Sequence, residues 1–322
     1  MALTGEFEKR LGLGQEGTWG VVGTVRVWVP FQSQSFGLPE QPMVAVPQTW
    51  GRREVARTVQ KAKMPAPEFS FVIEPENGIG EVLKAAFGTS TVAQFGTFIA
   101  YRHTFQVQQV SELPSLFGRV LEYGTFVYDY TGLRVNTLEL DFSENEYVTA
   151  KVSLLGQDRI TGTAMGGTYG TTVPFTQFGN AIVQIDGTTA TDIKNLKLKI
   201  SNGQKQHIMV GTTKRPSFIS AGDFVVTGEF TQMIQNENEI TKYINGTASR
   251  LDILLRGGTF TGGTMQHELE FAMPTVEYVA FPIKQGDRVI AAQIGFMARF
   301  GTNALGTGAL VGYLTNNVAS YA

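Results

Sequence analysis

The chain has 322 residues, no cysteine, 17% charged residues and a formal net charge of −2. Without cysteine there is no disulfide framework and no thiolate metal site. Without a surplus of Lys and Arg, nonspecific binding to nucleic-acid phosphates is disfavoured.

The length exceeds the roughly 250–300 residues at which a single core stops growing, so two domains of about 160 residues each are expected. The 37 glycines, the abundant threonine and the low charge suit many short strands and turns.

The first segment, "MALTGEFEKRLGLG", has no apolar core behind a basic stretch and does not read as a signal peptide. Gly12, Gly14 and Gly17 match G-x-G-x-x-G, but no βαβ unit surrounds them, so a flexible arm is expected instead of a nucleotide site. Val25, Val27 and Val29 then alternate with Thr24, Arg26 and Trp28 as a strand. Residues 30–59 carry four prolines and no clean period, a length that in compact domains usually serves a function. Past Asn77, a good N-cap, Ile79, Val82, Leu83, Ala86 and Phe87 fall on one helical face.

The stretch 137–154 reads as a hairpin. Leu138, Leu140 and Phe142 face one way and Thr137, Glu139 and Asp141 the other; Glu144 and Glu146 sit at the tip, and Val148, Ala150, Val152 and Leu154 resume the apolar face. The Gly- and Thr-rich run 158–172 is the expected boundary between domains 1–160 and 161–322. Leu196, Leu198 and Ile200 lead into Asn202-Gly203, a strong hairpin signal, so 195–210 is expected to fold back on itself with Lys197 and Lys199 on its polar face. Asn238 opens a second short helix that Asn245-Gly246 stops, and 288–300 reads as a late strand. The tail 303–322 is small and apolar, an arm that needs a docking place.

The two helices belong to a repeat. "EFSFVIEPENGI" at 68–79 and "EFTQMIQNENEI" at 229–240 are identical at six of twelve positions and lie half the chain apart, which points to a tandem duplication. His103 and His267 follow their respective helices as equivalent structural positions, with no metal-ligand spacing. No nucleophile elbow or HExxH motif is present, and no cofactor site is expected. Asp141, Glu144 and Glu146 could in principle form an acid–base pair, but charged hairpin tips are usually just solvated.

The order "VWVPFQSQS", a long loop, "GRREVAR", "FSFVIEPENGIGEVLKAAFG", "YRHTF", "LPSLF" and "YTGLRVNTLELDF…YVTAKVSLLGQD" resembles the tail tube (major tail) proteins of long-tailed, non-contractile bacteriophages. The likeness covers residues 12–158 well and the second half through its pattern. It implies a mainly β chain of two tandem β-sandwich tube domains, each with one short flanking helix, whose lumen hairpins pair into a ring-wide β-barrel.

By the same resemblance, the chain is a virion tail component assembled in the host cytoplasm. Three copies make a ring, rings stack into a tube, and double-stranded DNA passes through without specific binding. The implied partners are a tape-measure protein and terminator or baseplate proteins; no membrane is involved and no enzymatic activity is implied. The 30–59 loop would reach the next ring with Phe36 and Trp50 as anchors. Glu139, Asp141, Glu144, Glu146, Lys197 and Lys199 would line the lumen or a joint between domains, acidic and basic strips side by side; if those faces lie outside the tube instead, they are simply solvated. Two other readings stand beside this one: a tail-terminator or connector ring, and a carbohydrate-binding or glycoside-cleaving sandwich, which the scarcity of tryptophan (Trp19, Trp28 and Trp50) weakens.

Overall fold

The computed structural model describes residues 9–321 apart from 38–42, 47–54, 56, 96–98, 123–125, 144–145, 164–165, 177–179, 211–213, 236, 261–264, 287–288 and 304–305. The chain is mainly β with two helices among the described residues. Its first half runs β1 (Arg10–Gln15), β2 (Val27–Val29), β3 (Phe31–Gln34), β4 (Met43–Ala45), β5 (Thr58–Gln60), β6 (Glu68–Val72), α1 (Ile79–Phe87), β7 (Gly88–Gln94), β8 (Tyr101–Val107), β9 (Leu116–Glu122), β10 (Phe126–Phe142), β11 (Thr149–Leu155) and β12 (Asp158–Thr161). There follow β13 (Ala181–Ile185), β14 (Thr188–Thr189), β15 (Ile193–Ser201), β16 (Lys205–His207), β17 (Phe218–Ser220), β18 (Val225–Met233) and α2 (Asn238–Asn245). The chain continues through β19 (Ser249–Thr259), β20 (Gln266–Ala280), β21 (Ile283–Gly286), β22 (Val289–Arg299), β23 (Gly301–Asn303), β24 (Gly306–Gly308) and β25 (Val311–Asn316).

One antiparallel sheet spans both halves in the order β3-β6-β11-β10-β15-β18-β22, with the end of β20 and β21 on the far side of β22. A second sheet runs β7-β8-β25-β20-β19-β13-β14, and β2, β1, β9, the start of β10 and β12 form a third group. The long strands β10 and β20 belong to two sheets each. β10 bends where Gly132 adopts φ 64° and interrupts the ladder between Tyr130 and Leu133. β20 changes partner from β25 to β22 around Pro274, a residue with no N–H to give to a ladder.

Alternation decides which side is buried. Leu138, Leu140 and Phe142 of β10, Ala150, Val152 and Leu154 of β11, and Leu196, Leu198 and Ile200 of β15 are all buried, with their polar neighbours outside. The 137–154 hairpin therefore forms as its pattern predicts. Against the buried face lies α1, of which every residue but Lys84 is buried, packed on β1, β7, β8 and β10. A single cluster of buried apolar side chains runs from Leu11 to Tyr321. α2 follows β18 as α1 follows β6, yet none of its residues is buried; it rests on the sheet through a Tyr278 hydroxyl that donates to Glu239 and a Tyr243–Phe281 ring contact at 5.5 Å.

Several expectations are corrected. Asn202-Gly203 does not close a hairpin: β15 pairs with β10 and β18, while β16 leaves the sheet to pair with β17. The reason is Asn202 itself, whose buried side-chain amide donates to the carbonyls of Ala86 (3.1 Å) and Val135 (2.8 Å) and pins the chain to α1 and β10.

Asn77 is not the cap of α1. Gly78, at φ 91°, holds that position, and the Asn77 amide oxygen accepts from the Gly170 N–H (3.1 Å) while its NH2 donates to Glu74. Asn238 is the first residue of α2, with Glu237 in the cap position, whereas Gly246 does end that helix at φ 61°.

Residues 10–15 are no free arm. They form β1 between β2 and β9, and Gly14 is needed because a Cβ there would stand 2.1 Å from the Thr24 carbonyl oxygen. The tail docks on its own chain. β25 inserts between β8 and β20, and Tyr321 is buried with its hydroxyl accepting from Asn316 Nδ2 (2.5 Å) and its carbonyl accepting from Lys84.

His103 and His267 flank this inserted strand from either side and both are buried. His103 Nε2 bonds the Val318 carbonyl at 2.7 Å and its ring meets Tyr321 at 4.5 Å. Burial holds both imidazoles below their usual pKa, more than their hydrogen bonds restore. A depressed histidine leaves the unfolded chain with more protons at acid pH, so its contribution to stability is complete above about pH 6.5 and falls away below it. Glu16, Glu81 and Glu270, raised by burial, pull the other way at lower pH. The expected result is therefore a difference: between pH 7.5 and 5.5 the melting temperature of His103→Gln should fall less than that of the unaltered chain. Parallel curves would show that His103 does not titrate against the fold.

Candidate functional site: the polar face of the long sheet

Opposite the core, the long sheet presents a face whose charges lie in rows across the strands. Lys151, Glu139, Lys199 and Thr227 stand side by side on β11, β10, β15 and β18. The adjacent row reads Thr149, Asp141, Lys197, Glu229 and Gly295. These residues line a shallow groove. Strand alternation explains the arrangement: the odd-numbered residues of β10 and β15 point out because the even-numbered ones fill the core.

The rows pair. Lys199 Nζ lies 2.6 Å from Glu139 Oε1, Lys197 Nζ 3.9 Å from Asp141 Oδ2, and Lys151 Nζ 3.3 Å from Glu68 Oε2. Glu229 accepts from Gln293 Nε2 at 2.8 Å, and Asp141 from Ser143 Oγ at 2.7 Å. All three ion pairs are about half exposed, so each contributes no more than about 1 kcal/mol. Three lysines against four carboxylates leave the face close to neutral.

Of the residues singled out in the sequence, Glu139, Asp141, Lys197 and Lys199 come together here, although β10 and β15 are neighbours that the sequence alone did not pair. Glu146 is exposed at the hairpin tip, away from these rows; Glu144 lies outside the described residues, as does Trp50. Phe36 is a correction. It is 1% exposed, packed on Phe69 (6.0 Å) and edge-on to Tyr130 (5.0 Å), so it belongs to this chain's core and cannot anchor another ring. Lys151, opposite Glu139 on β11, was legible in the hairpin pattern; the signal that sequence reading missed is Glu68, which extends the rows onto β6.

Nothing in these rows resembles a reaction centre. Their carboxylates are neutralised by cross-strand lysines on an open face, without a cleft to exclude water. Among the described residues no three His, Asp or Glu side chains gather as metal ligands, and no helix is long and apolar enough to cross a membrane. Trp19 and Trp28 are half-buried, not platforms offered to a sugar ring.

The family model described as phage tail tube protein matches residues 7–298. The chain belongs to that family. No curated protein matches it at a significant level. Membership makes the protein a structural component of a phage tail that assembles with itself into a tube, and neither a terminator ring nor a carbohydrate-active sandwich is favoured. For a tail tube protein, an extended sheet with one near-neutral polar face is the feature that demands an explanation.

Proposed function

We propose that three copies close into a ring with the polar face of the long sheet inward, and that stacked rings form the DNA conduit of a long-tailed, non-contractile phage. The observation that carries this is the width of that sheet. Each chain supplies eight strands, counting β21 and the end of β20 as one edge position, and among the described residues β3 at one edge and β21 at the other lack a second partner. Three chains give 24 strands, which at about 4.8 Å each make a circumference of about 115 Å or more once tilted. The resulting backbone diameter of about 37–50 Å admits a DNA duplex.

The seam between copies has a template inside the chain. β3 stands to β6 as β15 stands to β18, and the β20–β21 edge stands to β22 as β10 stands to β11. The internal β10–β15 joint is therefore the pattern for pairing the β20–β21 edge of one copy with β3 of the next. This correspondence also supports two tandem tube domains, 1–160 and 161–322, six per ring. Paired charges attract over a few Å yet largely cancel at the distance of passing DNA, given a Debye length of about 8 Å, so the wall holds no phosphate. A tape-measure protein inside the nascent tube, terminator and baseplate proteins at its ends, and assembly in the host cytoplasm complete the reading.

Light scattering and electron microscopy of the concentrated protein test it: tubes built from three-chain rings are expected, and a stable monomer would contradict it. Replacing residues 38–57 by a short Gly-Ser link should leave a folded β protein that no longer polymerises; long tubes from that variant would show the loop to be dispensable.

A further inference from the structure

The two ends of the long sheet carry different surfaces. Four successive antiparallel pairings separate β3 from β15, so the two strands run the same way. Each is followed by a small hairpin, β4–β5 after β3 and β16–β17 after β15, and both hairpins therefore leave the sheet at one end. There they meet: the Lys63 N–H donates to the Lys214 carbonyl at 2.9 Å. A lone two-stranded hairpin is marginal in water, and these do not cover their own apolar side chains. Val59 is 55% exposed and Val210 fully so, with Ile208 beside it also exposed. Lys61, Lys205 and Lys214 make this end basic.

The opposite end is where β18 finishes, and it carries α2. Here Ile244 is 74% exposed, with Ile283 and Ile290 exposed on the neighbouring strands. Glu146 and Glu237 are exposed there and Glu74 and Glu76 half-buried, so this end is acidic. The counterpart helix shows what is missing. α1 is covered by β1 and by Tyr321, and the segment through Gly170 is bonded at its start, whereas among the described residues α2 has no such cover from its own chain.

We propose that the two ends fit each other: the hairpin end of one copy, led by Ile208 and Val210 of β16–β17, docks on the α2 surface around Ile244 of a copy in the adjacent ring. The occupant follows from complementarity, apolar tip to apolar helix and lysines to carboxylates, between surfaces that every copy carries at opposite ends. Such a contact is head-to-tail, so it repeats without closing and yields an open-ended, polar filament. Interring contact is then made by both halves of the chain, not by the 30–59 loop alone. The inference rests on the tube reading above.

The test uses Val210→Asp and, separately, Ile244→Lys, each of which sets like charge against like at the docked surface. Both positions are exposed, so circular dichroism and melting temperature should match the unaltered chain, while tube length in electron micrographs should drop at least tenfold. The Lys205→Glu/Lys214→Glu double variant should do the same, and it decides the matter if either apolar variant fails to fold. Tubes of normal length from these folded variants would overturn the inference and leave the tube reading intact. Absence of tubes from the unaltered chain would instead overturn the tube reading and this inference with it.

Discussion

A chain carrying Glu139→Lys together with Asp141→Lys is expected to lose about 2–3 kcal/mol of stability at low salt. Three cross-strand relations change sign at once: Glu139 with Lys199 and with Lys151, and Asp141 with Lys197. Each is worth about 0.2–1 kcal/mol as an attraction and costs a similar amount as a repulsion. Adding Lys197→Glu and Lys199→Glu should recover part of the loss. It cannot recover all of it, because Lys151 would still oppose the new lysine at 139, and Glu229 would face the new glutamate at 197. Urea titrations of the double and quadruple variants measure both steps. A double variant as stable as the original would mean that the rows contribute nothing at the β10–β15 joint; a quadruple variant no better than the double would mean that the two strands do not read each other's charge.

Tyr321→Ala is expected to cost about 3–4 kcal/mol, in the range for emptying a buried aromatic site. The ring is buried, 4.5 Å from His103 and 6.2 Å from Phe105, and it lies over Gly80, where even a Cβ would stand 1.9 Å from it. Burial raises the phenol pKa and keeps the hydroxyl neutral, and its oxygen accepts from Asn316 Nδ2. Tyr321→Phe should cost only about 1 kcal/mol, the net worth of one hydrogen bond. Because β25 joins β8 of the first half to β20 of the second, hydrogen exchange should speed up in both strands in the alanine variant. Faster exchange in β25 alone would show that the tail is an appendage and not a clasp.

What the sequence made legible followed from periodicity. The alternation in 137–154 and 196–200 gave the buried and polar faces directly, because a one-residue error would have turned Leu138 or Leu198 outward. It also gave the lysine and carboxylate rows as separate strips. It suggested that the strips lie side by side; what it could not give was the pairing and register that do so, since β10 and β15 are joined across more than fifty residues.

Turn chemistry misled at Asn202-Gly203 for a reason visible only in three dimensions. Gly203 does take a positive φ of 51°, as such a turn needs, but the Asn202 side chain is bound to Ala86 and Val135 and the chain leaves the sheet. Phe36 misled likewise, because an aromatic residue in a proline-rich loop looks the same in sequence whether it faces solvent or, as here, Tyr130. The fate of the tail was equally hidden: an uncharged, apolar arm needs a docking place, and nothing in its sequence says that the place is its own chain.

The central claim, that the charge-paired face of the long sheet lines a channel closed by three copies, is tested most directly by cryo-electron microscopy of assembled tubes at side-chain resolution. Expected are three chains per ring, a continuous inner sheet of 24 strands with Glu139, Lys199, Asp141 and Lys197 facing the lumen, and β21 of each copy beside β3 of the next. A tube with those four residues on its outer surface, or a ring whose inner sheet is broken between copies, would contradict it.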